Sequence, residues 1–377
     1  MKEGWEYKRL EEICTPINGL WKGKKEPFVN VGVIRNANFK KDFTLDFSNI
    51  EYLDVEAKKF ASRKLEPGDL IVERSGGSEK QPVGRAVLFN QSEGDYSFSN
   101  FTSVIRINDR KQVSPIFLFK YLLYFYLKGE TRPMQNAAIG LHNLDFKRYL
   151  SIEVPVPPLS EQQRIVSYLD AAFAKINAVA KNAEDSLNEA KALFQSALAK
   201  MMEPKEGWEE KNLVEELKLK SGEYLPSKEH AGGSIPVYGG NGITGHHNES
   251  NLDGEHIIIG RVGALCGNVH LTNGKIWVTD NAFVATGLDE TWDKKFLMYE
   301  LTSIDLNKYA TKAVQPVISN KSLREVSLYK PSLDVQNDIT KTLENVENNI
   351  NSLSSNLSRT LTECAALKQS ILRQTFE

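Results

Sequence analysis

Apolar residues recur every three or four positions along two long stretches of the chain, residues 160–202 and 334–376. Shifting the first stretch by 174 positions places its apolar residues on those of the second, so that Ile165 falls on Ile339. An apolar repeat near 3.5 residues keeps one face of a helix turned toward a partner helix. The pattern therefore predicts two long α-helices that pair as a coiled coil. The predicted seam and partner-contact positions are Ile165, Leu169, Ile176, Val179, Leu187, Leu193, Ile339, Leu343, Ile350, Leu353, Leu357, Leu361, Leu367 and Ile371.

Both predicted helices begin shortly after a proline. Ser160 with Gln163 matches a capping box, and Asp334 is a favourable N-cap for the second helix. At about 1.5 Å per residue each helix would be roughly 60 Å long. The sequence therefore predicts a pair of helices that act as a spacer of defined length.

A short motif near the N-terminus returns after the first helix. Residues 2–6 read KEGWE, and residues 205–209 read KEGWE again. The chain is therefore an internal repeat of one globular segment followed by one long helix. Two like helices in such a pseudo-twofold repeat run antiparallel, and we expect the two ends of the chain to lie close together. The predicted boundaries are 1–155 and 204–330 for the globular domains, and 156–203 and 331–377 for the helices.

Each globular segment shows short apolar or alternating runs bounded by turn residues, which predict strands. These runs are residues 70–72, 86–89 and 104–107 in the first segment, and 256–259, 269–271 and 283–285 in the second. A helix is predicted at 116–128 after Ser114-Pro115, with an aromatic stripe that belongs to the core, and another at 294–302. The predicted fold class is α+β, with two globular domains in pseudo-twofold repeat joined by two long antiparallel coiled-coil helices.

Composition excludes several classes of protein. The formal net charge is -2, so any surface that binds nucleic acid must be local, or a partner must supply the positive charge. The sequence has neither a signal peptide nor an apolar run long enough to span a membrane, which predicts a cytoplasmic location. Three widely separated cysteines favour neither a disulfide framework nor a zinc site.

A glycine-rich segment, residues 240–245, matches the GxGxxG pattern of dinucleotide sites. That pattern requires a following apolar helix, whereas here it continues into His246-His247-Asn248. A loop that approaches DNA, or merely a tight turn, fits better, and the histidine pair lacks a set of metal ligands. No Walker loop and no amino-methyltransferase motif occur in the sequence. We therefore expect no catalytic residue, no metal and no cofactor in this chain, which would be an adaptor and not an enzyme.

Several motifs carry a family resemblance. They are IEVPVPPLSEQQRI at 152–165, QPVISN at 315–320, YGGNGI at 238–243 and RVG at 261–263. Together with the repeat, they resemble the specificity subunit of type I restriction-modification enzymes over essentially the whole chain. The resemblance implies that each globular domain reads one half of a split DNA sequence and that the helices bind methyltransferase subunits. It also implies that the partners are double-stranded DNA, two methyltransferase subunits and, where present, restriction subunits. S-adenosylmethionine and ATP with magnesium would then be bound by the partners.

Residues suited to reading DNA lie in polar segments next to predicted strands. Arg and Lys suit guanine, and Asn and Gln suit adenine. The candidates are Arg74, Ser75, Lys80, Gln81, Arg132, Gln135, Asn136 and His142 in the first domain, and Tyr238, Asn241, His246, His247, Arg261, Lys312 and Gln315 in the second. Two rival hypotheses stay open: an autonomous enzyme, and a coiled-coil scaffold or degenerate subunit that holds proteins but does not recognise DNA.

Overall fold

The computed structural model describes residues 5–20, 23–138, 141–311 and 314–377. The chain forms two compact units. Unit 1 comprises Met1–Asn182 and Arg359–Glu377, and unit 2 comprises Ala183–Ser358. Each unit thus contains one globular part and a portion of both long helices. Among the described residues, none of the helices combines the length and apolarity that crossing a lipid bilayer requires.

Unit 1 alternates short strands with short helices before the first long helix. Its elements in chain order are β1 (Glu6–Arg9), α1 (Leu10–Ile13), β2 (Cys14–Asn18), β3 (Phe28–Ile34), β4 (Glu51–Glu56), α2 (Ala57–Ala61), β5 (Leu70–Glu73), β6 (Ser75–Gly77), β7 (Ala86–Leu88), β8 (Tyr96–Phe98), β9 (Thr102–Ile107), α3 (Pro115–Leu127), β10 (Gln135–Ala138), β11 (Leu141–Leu144), α4 (Phe146–Leu150), β12 (Glu153–Val156) and the start of α5 (Leu159–Met201). The strands predicted at 70–72, 86–89 and 104–107 and the helix predicted at 116–128 are confirmed.

The strands of unit 1 form small sheets around separate apolar clusters. An antiparallel sheet has the order β2-β9-β5-β7, and its two faces bury Leu70 and Val72 on one side and Ile71 on the other. A second sheet has the order β4-β3-β8, in which β3 and β8 are parallel. The remaining pairs are β1 with β12 and the order β10-β11-β6. Alternation of side chains across β5 therefore lets one strand serve two cores.

Unit 2 repeats this plan. Its elements are β13 (Glu209–Asn212), α6 (Leu213–Glu216), β14 (Lys218–Ser221), β15 (Ile235–Gly239), β16 (Gly242–His247), β17 (His256–Gly260), β18 (Val269–Thr272), β19 (Trp277–Val278), β20 (Ala282–Thr286), α7 (Lys294–Ile304), β21 (Ser327–Lys330) and α8 (Leu333–Phe376), whose last turns belong to unit 1. The sheets β14-β20-β17-β18 and β16-β15-β19 match β2-β9-β5-β7 and β4-β3-β8 strand for strand. The pair β13 with β21 likewise matches β1 with β12. The predicted internal repeat is confirmed.

The two long helices are confirmed, but their predicted caps are wrong. Helix α5 has 43 residues and α8 has 44, which corresponds to about 65 Å each. The helices begin at Leu159 and Leu333, so Ser160 and Asp334 lie inside the first turn. The amides of Glu161 and Gln162 already donate to the carbonyl of Pro158. The residue before each helix thus supplies the first carbonyl, which is Pro158 for α5 and Ser332, accepting from the Gln336 amide at 3.0 Å, for α8. Each helix has therefore already begun before Ser160 or Asp334.

A buried glutamine attaches the start of each long helix to the N-terminus of a shorter helix, α3 in unit 1 and α7 in unit 2. The Gln162 amide nitrogen donates to the carbonyls of Gln112 and Pro157, both at 2.8 Å, and its oxygen accepts from the Ser114 amide at 2.8 Å. Ser114 is the N-cap of α3. Gln336 makes the same three bonds in unit 2, to the carbonyls of Thr291 and Pro331 and the amide of Asp293, which is the N-cap of α7. Both glutamines are 0% exposed.

In each unit the start of one long helix packs near the end of the other. In unit 1, Ile165 and Leu169 of α5 share an apolar cluster with Leu372 and Phe376 of α8 and with aromatic residues of α3. In unit 2, Leu198 near the end of α5 shares a cluster with Ile339 and Leu343 of α8. The aromatic stripe of α3 is therefore core, as predicted, and the helix pairing is the antiparallel one that the repeat implies.

The buried stripe of the long helices differs from the predicted seam at four positions. Of the predicted seam residues, Ile165, Leu169, Ile176, Ile339 and Leu343 are buried, and Leu187, Ile350, Leu357, Leu361 and Ile371 are half-buried. Val179, Leu193, Leu353 and Leu367 are 50%, 63%, 42% and 50% exposed. One row of buried or half-buried positions recurs every seven residues along each helix. Midway along the helices, the second row of the buried stripe lies four residues after a position of the first row, whereas the prediction placed these four residues three positions after it. Helix-to-helix contact by these four residues stays a prediction.

Candidate nucleic-acid interface

Two polar segments that are far apart in the sequence of unit 1 share one sheet. Strand β6 carries Ser75, and it pairs with β11, which pairs in turn with β10, the strand that carries Gln135 and Asn136. The Arg132 guanidinium donates to the Glu79 carbonyl at 3.3 Å, and the Gln135 side-chain oxygen accepts from the Val83 amide at 3.1 Å. The structure thus brings both predicted DNA-reading segments of the first domain together.

Arg74, at the start of this sheet, is half-buried and held by contacts with other elements. Its guanidinium lies 4.6 Å from the Phe146 ring centre and donates to Asn18 Oδ1 at 3.1 Å and to Ser103 Oγ at 3.3 Å. Burial lowers the pKa of Arg74 below its ordinary value. These contacts orient the strand end, so the geometry favours a supporting role for Arg74 over a direct contact with a base.

The segment after Arg74 forms strand β6 and a turn. Strand β6 is followed by a tight turn in which the Ser78 amide donates to the Gln81 carbonyl at 2.8 Å and the Gln81 amide donates to Ser78 Oγ at 3.1 Å. The turn explains why these short polar residues occur here. The candidate side chains that stay exposed in unit 1 are those of Lys80, Gln81, Arg132 and Asn136. Ser75 and His142 are half-buried.

Sequence reasoning missed three residues beside this sheet. Asn36, just after β3, donates from its side-chain nitrogen to the Ser75 carbonyl at 2.5 Å, and Arg35 pairs with Glu51. The Phe101 carbonyl accepts from the Arg74 and Ser75 amides, while the Phe101 side chain is 49% exposed. Comparing the strand ends of the two repeats would have drawn attention to Arg35 and Asn36, because their counterparts are Gly239 and Gly240 of the glycine-rich motif.

A cavity of about 470 Å³ opens between β3, β4 and β6 in unit 1. Its walls include the apolar side chains of Leu20, Val33, Leu53, Val55 and Phe101. Its polar lining comes from Arg35, Asn36, Ser99 and Asn100. The cavity therefore lies directly beside the candidate interface.

In unit 2 the glycine-rich motif forms the tip of the hairpin between β15 and β16 and packs against β17. A Cβ atom added to Gly240 would lie 2.0 Å from the Val262 carbonyl oxygen, and one added to Gly260 would lie 2.1 Å from the Gly240 carbonyl oxygen. Contacts this short leave no room for a side chain, so internal packing explains the glycines. Within this motif, Tyr238 is half-buried and Asn241 is exposed, accepting from the Asn268 side chain at 3.1 Å.

Arg261 occupies the place in unit 2 that Arg74 occupies in unit 1. It donates to Ser221 Oγ at 3.0 Å and to the Asp280 carbonyl at 3.4 Å, and it lies 5.2 Å from the Phe283 ring centre. Next to it, Val262 forms an isolated bridge with Val317. The segments that carry Arg261 and Gln315 therefore also meet, as their counterparts do in unit 1.

The remaining candidates of unit 2 lie at different places. His246 is exposed, and the half-buried His247 ring meets the edge of Trp277 with ring centres 5.4 Å apart. Gln315 is exposed, while Lys312 lies outside the described residues. Among the described residues, no three His, Cys, Asp or Glu side chains are grouped so that they could hold a metal ion. Direct base contact by any individual candidate stays a prediction.

Comparisons with known proteins agree with this geometry. The family model for the "Type I restriction modification DNA specificity domain" matches residues 2–189 and again residues 205–363. The specificity subunit of the type I restriction enzyme EcoprrI from Escherichia coli is 29% identical over 285 residues, which cover 70% of this chain and 69% of that protein. The putative specificity subunit of MjaX from Methanocaldococcus jannaschii is 22% identical over 376 residues, covering 92% and 87% of the two chains.

Two solved structures share the fold. A chain from a study of complex assembly and conformational transition of the type I R-M system gives a TM-score of 0.76 at 19% identity, covering 100% of this chain and 98% of that chain. The HsdS subunit from Thermoanaerobacter tengcongensis gives a TM-score of 0.51 at 20% identity, with 100% and 97% coverage.

Proposed function

Since the chain belongs to the type I restriction modification DNA specificity family, we propose that it is the subunit that selects the DNA sequence for a type I restriction-modification complex. Each unit reads one half of a split site, and partner subunits methylate adenine and restrict DNA there. The observation that carries this proposal is the repeated convergence of polar segments. Segments 74–81 and 132–143 meet in unit 1, and segments 261–263 and 315–318 meet in unit 2.

The difference between the two candidate interfaces supports a split and asymmetric site. The scaffolds match strand for strand, whereas unit 1 presents a three-stranded sheet with Lys80, Gln81 and Asn136 exposed, and unit 2 presents a glycine-rich hairpin with Asn241 exposed. Equal scaffolds with different polar side chains are suited to reading two different short sequences. Reading in this way needs no catalytic residue in the chain.

Exposed apolar residues of the long helices support two like binding sites for methyltransferase subunits. Val179 is the repeat counterpart of Leu353, and Leu193 is that of Leu367. Unit 1 contains Val179 and Leu367, and unit 2 contains Leu193 and Leu353, so each unit offers one of each pair. Apolar side chains exposed on a surface mark a contact site for a partner protein where they belong to a contiguous patch. We propose that one methyltransferase subunit binds each unit, supplies S-adenosylmethionine and provides much of the charge that binds phosphate. Restriction subunits, where they join the complex, would supply the ATP- and magnesium-dependent cleavage.

The decisive experiment is a methylome of a methylation-free bacterium that expresses this chain together with a methyltransferase subunit. We expect adenine methylation at a split motif. Replacing residues 78–81 with glycine and serine should abolish or change one half of the motif, and replacing Asn241, His246 and Gln315 with alanine should affect the other half. A soluble complex that methylates no motif would favour the scaffold or degenerate-subunit hypothesis.

The spacer hypothesis has a separate test. Inserting seven residues after Asn182 and seven after Ser358 preserves the seven-residue row of both helices. We expect the variant to keep both half-motifs and to prefer a longer spacer between them. An unchanged spacer would contradict the idea that the helices set this distance.

A further inference from the structure

The cavity of unit 1 has features that the reading of base edges in a groove does not require. Groove readout uses side chains that project from a surface, whereas this is a concave site of about 470 Å³. A volume of this size is within the range of about 300–1,000 Å³ that is typical of small-molecule sites. It borders β6, because Gly76 lines it and Asn36, another lining residue, donates to the Ser75 carbonyl.

Polar atoms around the cavity carry unused hydrogen-bonding capacity. Within the described part of the chain, Arg35 Nε, Asn36 Oδ1 and Ser99 Oγ are buried and make no hydrogen bond. Buried polar groups are rarely left in this state. Once these side chains rotate toward the cavity, a guanidinium N–H, an amide oxygen and a hydroxyl together offer donors and acceptors to a ligand that carries both.

The other walls of the cavity suit a flat, apolar surface. Leu20, Val33, Leu53 and Val55 contribute aliphatic side chains, and the half-exposed Phe101 ring stands beside them. An aliphatic side chain from a protein partner would cover the apolar walls but would leave the polar atoms unsatisfied. A nucleobase meets both requirements, since it combines π-faces that stack with edges that form hydrogen bonds.

Building on the proposed function, we propose that this cavity of unit 1 receives one nucleobase turned out of the DNA duplex. Phe101 stacks on the base, and Arg35, Asn36 and Ser99 bond to its edge. The base is enclosed by the cavity, while the exposed residues of β10 and of the turn after β6 contact the neighbouring bases. Unit 2 cannot do the same at the equivalent place, because the backbone of Gly240 lies directly against Gly260 and Val262.

The test uses the cost of breaking a base pair. A mismatched base is easier to extrude than a paired one, so a mismatch at the extruded position should tighten binding. The complex of this chain with its methyltransferase subunits is titrated with duplexes that carry a mismatch at each position of the half-site assigned to unit 1. We expect about tenfold tighter binding at one position other than the methylated adenine. The methylated adenine is an internal reference, because methyltransferases also extrude their target base.

Pocket variants decide whether the cavity is responsible. Phe101→Ala removes the stacking surface, and Leu53→Trp fills the cavity from the half-exposed strand β4. Both should abolish the mismatch effect at the new position and leave it unchanged at the methylated adenine. Tyr52→Ala is the matched control, because Tyr52 is a 58% exposed aromatic residue of the same strand that does not line the cavity, and it should change neither.

Two results would overturn the inference. If no position except the methylated adenine responds to a mismatch, no second base is extruded. If a second position responds equally in Phe101→Ala and in the parent, the base goes elsewhere. In both cases a split motif that is still methylated leaves the proposed function intact, whereas loss of every motif from the parent complex would remove both.

Discussion

In unit 1 strand β3 leads into Arg35 and Asn36, whereas in unit 2 its counterpart β15 ends in Gly239 and leads into Gly240. The adjacent strand of the central sheet shows the same kind of difference, with a long side chain in unit 1 and a glycine in unit 2. Glu73 in unit 1 forms a buried pair with Arg85 at 3.3 Å, and the counterpart of Glu73 is Gly260. Side chains separate the two sheets in unit 1, while backbone lies on backbone in unit 2. A cavity beside the candidate interface is the result in one unit, and a closed hairpin is the result in the other.

The parts of the units that meet the long helices do not differ in this way. Gln162 and Gln336 form the same three hydrogen bonds, and Phe117 and Phe296, at equivalent places of α3 and α7, are both 0% exposed. The contrast teaches that the internal repeat is strict where the globular parts join the helices and loose where polar segments converge. The two regions therefore respond differently to substitution.

The largest effect is expected from Gly240→Ala. The added methyl group would meet the Val262 carbonyl oxygen at 2.0 Å, which forces the hairpin away from β17 and should destabilise unit 2 by about 3 kcal/mol. Amide hydrogen exchange of the β17 segment, followed by mass spectrometry, measures this loss. Gly274→Ala is the control, since its added methyl group meets nothing within 4 Å and only its positive φ of 84° is unfavourable. The control should cost about 1 kcal/mol, and an equal cost at both sites would contradict the packing account.

The glutamine anchors should show that the shared region behaves alike in both units. Gln162→Ala and Gln336→Ala each leave a buried amide and two carbonyls without their partner, so each should lower the free energy of unfolding by about 2–3 kcal/mol. Urea titration measures the change. Gln163→Ala alters the exposed neighbour of Gln162 and should have little effect. A large effect at only one of the two anchors would break the equivalence.

The two units are expected to differ in how their stability depends on pH, because of Glu300 in unit 2. Burial raises the pKa of this carboxyl group from 4.5 to about 7, while the equivalent position in α3 is Tyr121. The folded protein retains the Glu300 proton between these values and the unfolded chain releases it. The stabilising contribution is therefore complete below pH 4.5 and is lost as the pH rises through 7.

Glu300→Gln tests this difference. The free energy of unfolding of the parent should fall by about 2 kcal/mol more than that of the variant between pH 5 and pH 8. Glutamine keeps an oxygen that can accept the Tyr329 amide hydrogen bond, which measures 2.9 Å in the parent. Parallel stability curves for parent and variant over this range would show that Glu300 titrates normally.

The smallest effect on stability is expected from the exposed apolar residues of the long helices. Leu193→Ser and Leu367→Ser should each change the free energy of unfolding of the isolated chain by less than about 0.5 kcal/mol, because these side chains are 63% and 50% exposed. Leu169→Ala, at a position that is 0% exposed, should cost at least about 2 kcal/mol. Thermal or urea unfolding distinguishes the two classes. A large loss of stability in Leu193→Ser would show that Leu193 contacts the other long helix.

Periodic apolar patterns allowed the main architecture to be predicted from the sequence. The repeat, the two long helices, the central strands of both sheets and the aromatic core of α3 follow from local spacing and from the match between residues 2–6 and 205–209. The caps were misplaced because the main-chain carbonyls of Pro158 and Ser332, and not the side chains of Ser160 and Asp334, begin the hydrogen-bond ladders. Four seam positions are more exposed than the rest because a repeat near 3.5 residues does not distinguish the third from the fourth residue after each buried position.

The candidate interface was predictable in composition but not in geometry. The sequence marked the segments around Arg74, Gln135, Arg261 and Gln315, yet no local signal shows that β6 pairs with β11 across more than sixty intervening residues. Nor did it indicate that both arginines would be engaged by Asn18 and Ser221 from other strands. Pairings between distant segments depend on the complete fold, and so do the cavity and the glycine contacts.

The buried glutamines also have a consequence for how such a protein can change over evolution. All three bonds of Gln162 go to main-chain atoms, and so do all three bonds of Gln336. Main-chain atoms are present whatever the neighbouring side chains are. A foreign globular domain with a similar turn before the helix equivalent to α3 or α7 would therefore find the same attachment, and recombination could exchange whole domains without any matching change in the long helices.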